Sequence, residues 1–557
     1  MTKRGDELVA LLVLLFVVGS PVMSCISFTS ETLQDQPIVI TSNAGFLLQG
    51  YPGNGSIDNP YLIEGLSITA NQECISISDT DAHFIIRNCF LQSTSGPALY
   101  AVSFDEVLNG IINNCTLISM TSWMPPGGDV VYSGYGVRVS ASSNCTVMES
   151  NVYGNEVGVS LIDSVSCIVK GNSIHDNSVG IFLDRSTDCV ITNNTLQNNR
   201  EHLLVSRSTS CTITNQTIFG GNYGIALQTS ENCALIGNQM EGAGVLMMFA
   251  DDAKDWNHTF DENRVNGLPI GYLRRQQDKL VNGTAYGQLI LAECTNMTVV
   301  EFDVSNATAG IQIGYSTDCL VANSSLCNSS WAAILIFSSS DISVKESLMQ
   351  GNLLCVDIVS STRIHVSRNM LASNFHAIYS GESDQSTIID NTIKDGMGTG
   401  IHLFDCDEMI ITGNDISANY HGIWLSGCTR STISGNSVFN CSSYGITLGY
   451  DSSMNQVYEN LVGWNGFNAL DEGSSNLWDN GINRGNNWSD YLGFGWYSIP
   501  GQAGSSDRYP SSLADSPSLS WVLPTIALAV FGITIVVVVA VRLVRRDNIS
   551  KSNGVSI

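Results

Sequence analysis

Charge is scarce in this 557-residue sequence, and positive charge is scarcest: 24 Lys and Arg stand against 51 Asp and Glu, and charged residues make up only 13%. A formal charge of -27 repels nucleic acid and anionic lipid, because phosphate binding depends on clustered Lys and Arg, so no nucleic-acid partner is expected. Between the termini no stretch keeps the 3.6-residue apolar period over ten positions, which excludes helical repeats. Nor does any His pair show the tight i, i+2 or i, i+4 spacing of a metal site. His175, His202, His365, His376 and His402 read as surface residues near turns.

What the chain has is a period. Gly136, Gly158, Gly180, His202 and Gly224 stand 22 residues apart, each ahead of an apolar-x-apolar triplet. Cys145, Cys167, Cys189, Cys211 and Cys233 keep the same step, each with an apolar residue two positions on. Farther along, Ile311, Ile334, Val356, Ile378, Ile401, Ile423 and Ile446 continue at 22 or 23 residues, and Asn369, Asn391, Asn414 and Asn436 share the register. Each unit holds short alternating stretches separated by Asn, Gly or Ser turns.

A repeat of this size, with period-two alternation, suits one coil of a parallel β-helix whose neighbours stack about 4.8 Å apart. The expectation is an all-β, single-stranded right-handed parallel β-helix of roughly 16 to 18 coils, counted from Ile63 to Ala469, forming one solenoid on the order of 80 Å long. Stacked Asn side chains then bond along the axis and satisfy turn backbone, a structural role. The Cys row faces inward; adjacent coils bring its members within disulfide reach, and free thiols packing as small hydrophobes are the equal alternative. Residues 117 to 135, with Pro125 and Pro126, leave the register and read as a protruding loop.

The two ends differ in kind. Lys3 and Arg4 before the apolar run from Leu8 to Val18 read as a signal peptide over 1–24, followed by an N-terminal cap over 25–62 and the β-helix with its C-terminal cap over 63–493. Residues 494–520, rich in Ser, Gly and Pro, read as a stalk. Trp521 to Val541 carries no charge and is long enough to span a bilayer once as a helix. The basic tail over 542–557 places that end in the cytoplasm, making this a single-pass cell-membrane protein with its β-helix outside. Sequons at Asn114, Asn144, Asn215, Asn282, Asn296, Asn328 and Asn487 then become candidates for glycosylation.

Three stretches resemble a known family: GYPGNGSIDNPYLIEGLSI (50 to 68), NRVNGLPIGYL with GQLILAECTNMTV, and NLWDNGINRGNNWSDYLG (476 to 493). Their order and spacing are similar to those of the NosD-like β-helices, in the carbohydrate-binding and sugar-hydrolase (CASH) group of the pectin-lyase-like superfamily. The resemblance spans about residues 37 to 493 and implies the same solenoid. It also implies copper, through the family's namesake, but fold kinship does not transfer that role. Met247 and Met248 are adjacent and point opposite ways on a strand, and the Cys row is interior, so no copper site is expected. Members usually follow the closing motif with an Asp-rich segment; here only Asp507 remains, so no calcium site is expected either.

For catalysis, related β-helices use clustered carboxylates, and the weak candidates are Asp251 and Asp252, in the irregular stretch FADDAKDWNHTFDEN with His258 nearby. His421 in YHG and Arg363 in RIH resemble polygalacturonase-like pieces, in the wrong order and without the Asn-Thr-Asp element. The sequence therefore points to a membrane-anchored surface protein that binds carbohydrate or another surface protein. The alternatives are a tethered polysaccharide lyase or hydrolase, and a structural surface-layer component.

Overall fold

The computed structural model describes residues 35–94, 99–119, 122–123, 131–132, 134–248, 250 and 252–513. Short strands carry alternating side chains inward, and each strand pairs in parallel with its equivalent one coil away, as Ile181 does with Leu203 and Val169 with Ile191. Inward rows such as Ile174, Leu196 and Ile218 are wholly buried in one contiguous apolar core. At the coil corners Asn193, Asn215, Asp163 and many others adopt positive φ, which Asn and Asp tolerate better than most residues. That is why the repeat is rich in them.

The strands of a coil, such as Val179–Asp184, Val190–Thr192 and Thr195–Gln197, belong in that order to a first, second and third parallel sheet, and between the second and third the corners are tied by a side-chain ladder. The backbone N–H and the Nδ2 of Asn369 both donate to Asn391 Oδ1 at 3.0 Å, while the same Nδ2 reaches back to the Val344 carbonyl at 2.9 Å. The pattern repeats through Asn414, Asn436, Asn460 and Asn486. All described cysteines are free thiols, and all but Cys327 are buried. Those at the corners donate to the carbonyl two residues back, as Cys189 does to Thr187 at 3.5 Å, and burial pushes the Cys74 thiol up to about 12. Such thiols are inert packing groups.

The architecture departs from the sequence expectation in four places. First, the coil count is nearer 20 than 16 to 18, because Ile38–Ile40 already forms a first-sheet strand that a count from Ile63 omits. Second, residues 494–513 are not stalk. Tyr497–Ser498 pairs with Ser506–Asp507, Ser511–Ser512 extends the third sheet, and Asp507 closes the Asn ladder by accepting from Asn486 N–H at 2.7 Å and Trp488 Nε1 at 3.0 Å. Third, the excursion after Leu117 contains a hairpin, with Ser122–Trp123 paired to Val131–Tyr132. Fourth, the stack is interrupted. The leader (1–24), the span (521–541) and the tail (542–557) lie outside the described residues; among the described residues no helix is long and apolar enough to cross a membrane.

The interruption divides the coils into two arms. In the first arm, nine first-sheet strands run from Ile38–Ile40 to Val245–Met248. After Arg264–Val265 the chain reverses through Asn266 (φ 51) and Gly267 (φ 80), the signature of a type I′ hairpin, into Leu268–Arg274, which starts the second arm. The last first-sheet strand of the first arm thus has no parallel neighbour beyond it. Its open edge instead meets outward side chains of the second arm. Met247 N–H donates to Gln312 Oε1 at 2.9 Å and Val245 N–H to Gln288 Oε1 at 2.9 Å; both amide groups also donate back to the Val245 carbonyl. Gly244 N–H finds Thr308 Oγ1 at 2.8 Å. Two fully buried glutamines therefore replace a missing strand. Trp256 seals the joint, its ring lying so close over Gly314 that any Cβ there would collide.

A Gln312→Leu substitution is expected to leave the Met247 N–H unpaired and to cost about 1–3 kcal/mol. Hydrogen exchange at residues 245–248 reads this out: faster exchange there, against no change for the exposed Gln350→Leu control, is the expected result.

Candidate functional site

The joint turns the outer faces of the two first sheets toward each other. Leu204, Tyr223, Ala226 and Leu246 of the first arm pack on Ala309, Ala332, Leu335 and Trp331 of the second. The Ser330 hydroxyl also donates to the Asn222 carbonyl across the joint. Farther from the contact the facing side chains regain exposure, as Phe182 does on one arm and Tyr379, His402 and Trp424 do on the other. The geometry is an inside corner.

On the second arm two outward rows line this corner. One holds Gln312, Leu335, Asp357, Tyr379, His402, Trp424 and Thr447, and the other Leu354, His376, Thr399, His421, Tyr444 and Phe467. Neither contains Lys or Arg. Stacking at the coil spacing brings the rings into a continuous strip: Tyr379 to His402 at 5.3 Å, His402 to Trp424 at 5.0 Å, Trp424 to His421 at 5.0 Å, His421 to Tyr444 at 5.8 Å and Tyr444 to Phe467 at 5.1 Å.

Burial disfavours charge on these rows. Asp357 is 4% exposed and has no cationic partner; desolvation raises its carboxyl to about 7, against the opposing pull of the Trp331 indole N–H. Burial, reinforced by His376 and His421, lowers His402 to about 4. His376 and His421 are lowered too, by burial first, and their Nδ1 atoms accept from the backbone N–H of Thr399 and Tyr444. Three polar atoms on these facing rows are buried without a partner: His402 Nδ1, Thr447 Oγ1 and, on the first arm, Ser160 Oγ. Orphaned polar groups of this kind cost stability, and others lie elsewhere in the coils, as Ser93 Oγ and Ser367 Oγ do.

The residues singled out from sequence scatter. Asp251 lies outside the described residues. Asp252 caps the short helix Ala253–Trp256, accepting from Lys254 N–H while Asp255 reciprocates, so it serves the joint. His258 occupies the Cys position of its coil, accepting from Cys233 N–H at 3.2 Å. Arg363 is paired with Asp341 on another face. His202 is no surface residue: it is fully buried, bonded to Gly220 O at 2.8 Å. Of the catalytic candidates only His421 lies in the strip, joined there by His376 and His402, which sequence alone left unrelated. Among the sequons Asn114, Asn144, Asn215, Asn282, Asn296 and Asn328 are exposed, whereas Asn487 is half-buried in a strand. Asp357, Tyr379 and Trp424 were missed, although a signal was present: Asp357, Tyr379, His402 and Trp424 each follow the inward register residue by one position.

A family model described as "Periplasmic copper-binding protein (NosD)" matches residues 124–282 and 293–493. No curated protein matches the chain. Solved structures with similar winding include the periplasmic alginate epimerase AlgG (11% identity, 60% of this chain and 76% of that one, TM-score 0.27) and DFA-IIIase from Arthrobacter chlorophenolicus A6 (11%, 55% and 84%, 0.27). PfbA, a surface adhesin of Streptococcus pneumoniae, is another (13%, 61% and 84%, 0.21). None superposes closely enough to carry an argument about this chain. The residues present do not fit a copper centre. Among the described residues no three His, Cys, Asp or Glu are grouped to hold a metal, the His376 and His402 rings are tilted with centroids 5.7 Å apart, and Met247 is in the core.

Asp357 yields a pH signature. In the folded state it holds its proton to about 7, whereas unfolded it ionises near 4, so folding takes up a proton in that window. Its contribution to stability falls as pH rises from 4 to 7, by of order 4 kcal/mol at full effect. His402 and His202, each lowered by burial to about 4, act oppositely and lose stability as pH falls below 6.5. Asp357→Asn removes only the first slope. Melting temperatures recorded from pH 4 to 8 are expected to show the variant gaining on wild type as pH rises; a constant offset contradicts the assignment.

Proposed function

The chain belongs to the NosD family, and from that premise we propose that it is a glycan-binding β-helix displayed outside the cytoplasmic membrane, its ligand lying along the inside corner. The observation that carries the reading is the uncharged strip from Tyr379 to Phe467. Aromatic faces accept the C–H faces of sugar rings, while the polar edges of imidazole, phenol and indole offer partners to hydroxyls. A leader at 1–24, an anchor at 521–541 and the family's periplasmic description support an extracytoplasmic location, with exposed sequons such as Asn114 open to modification.

Glycan cleavage is the second reading, favoured by Asp357, a buried acid still holding a proton near neutrality and thus suited to protonating a leaving oxygen. Glycan arrays probed with the full chain are expected to show binding that Trp424→Ala weakens about tenfold or more, the scale of one lost aromatic contact of roughly 1.5 kcal/mol. An array blank with the folded wild type refutes the binding role. Release of shortened glycans that Asp357→Asn abolishes without loss of binding establishes cleavage, and intact glycan after prolonged incubation removes it.

A further inference from the structure

The strip does not stop at the last regular coil. Beyond Phe467 it opens into a cavity of about 360 Å³ lined by Trp464, Phe467, Asn465, Asn468, Asp490 and Tyr497 and closed by the C-terminal cap. Trp464 and Phe467 present 57% and 58% of their surface to solvent at its mouth. The walls are rigid. Trp464 sits at φ 53 with its N–H held by Ser489 Oγ at 3.0 Å, and the Tyr497 ring stacks on the fully buried Trp488 at 4.2 Å. Asp490 is the polar centre: Oδ1 accepts from Asn468 Nδ2 at 2.8 Å and Oδ2 from Tyr497 Oη at 3.1 Å. A carboxylate has about four acceptor sites, so two remain for ligand hydroxyls.

We propose that this cavity is the end subsite of the corner strip, holding the terminal sugar of a linear, uncharged glycan; the proposal rests on the glycan-binding reading above. Four coil steps of about 4.8 Å separate Tyr379 from the level of the cavity, so the ligand spans roughly 19 Å of strip and then ends against the cap. A volume near the low end of ligand pockets, roughly 300–1,000 Å³, suits one or two sugar rings. The charge favours neutral sugars over uronates. Neither second-arm row nor the cavity lining holds Lys or Arg, Arg138 of the facing first-arm row stands five coil steps from that arm's last strand, Asp490 is placed where a sugar carboxylate would meet it, and the whole chain carries -27.

The test uses the full-length chain in detergent with cello-, xylo- and chito-oligosaccharides of one to eight units, and oligogalacturonates as the anionic probe. Affinity for a neutral series is expected to rise with length to a plateau. Trp464→Ala and Asp490→Asn each lower it at least fivefold for long oligomers, Trp464→Phe restores most of it, and blocking one chain end removes the dependence on Trp464. If Trp424→Ala weakens binding while both cavity variants match wild type at every length, the end subsite is overturned and the strip stands. If neither the neutral series nor oligogalacturonate binds, both readings fall; tighter binding of oligogalacturonate overturns the ligand class and leaves the glycan-binding reading standing.

Discussion

No coil of this protein can satisfy its own main chain. Its strand N–H groups and carbonyls are met by the coils above and below, and its corner amides by the Asn of the next coil, so each turn is stable only between two others. Everything else follows from managing that dependence. Where the stack runs on, the sequence is free to repeat; where it stops, a different device must take over the unpaired edge.

There are two such devices. At the C-terminal cap the Asn ladder ends on Asp507, whose carboxylate accepts what another Asn would have accepted, while the Trp478 indole donates to Asp471 and Arg508 forks onto Asp479. This explains why the closing motif is dense in Trp and Asp. At the joint, Gln288 and Gln312 do for the first arm what a tenth strand would have done. The corner that holds the aromatic strip is thus a by-product of ending one stack against the side of another.

The regular part of this was legible in the sequence. A step of 22 residues fixes the coil, the inward aliphatic rows and the Asn ladder, because stacked coils place like residues on like. The joint was not legible. Its contacts pair residues without a common period, as Asn222 with Ser330, and Gln288 and Gln312 look like any other outward residue until the strand beyond them is missing. The Asn266–Gly267 hairpin stood within a quoted motif, yet a two-residue turn says nothing about whether the chain resumes its winding. The histidines were misread for a related reason: His376, His402 and His421 are far apart along the chain and adjacent only once the coil period is applied.

The glutamine joint has one more consequence. Gln288 and Gln312 recognise main-chain atoms of a terminal strand, not the side chains that happen to precede it. Duplicating or deleting one 22-residue unit in the interior of either arm leaves those atoms where they were. Arm length is therefore a quantity that gene-level repeat expansion can alter in whole-coil increments, lengthening the platform beside the corner without rebuilding the corner itself.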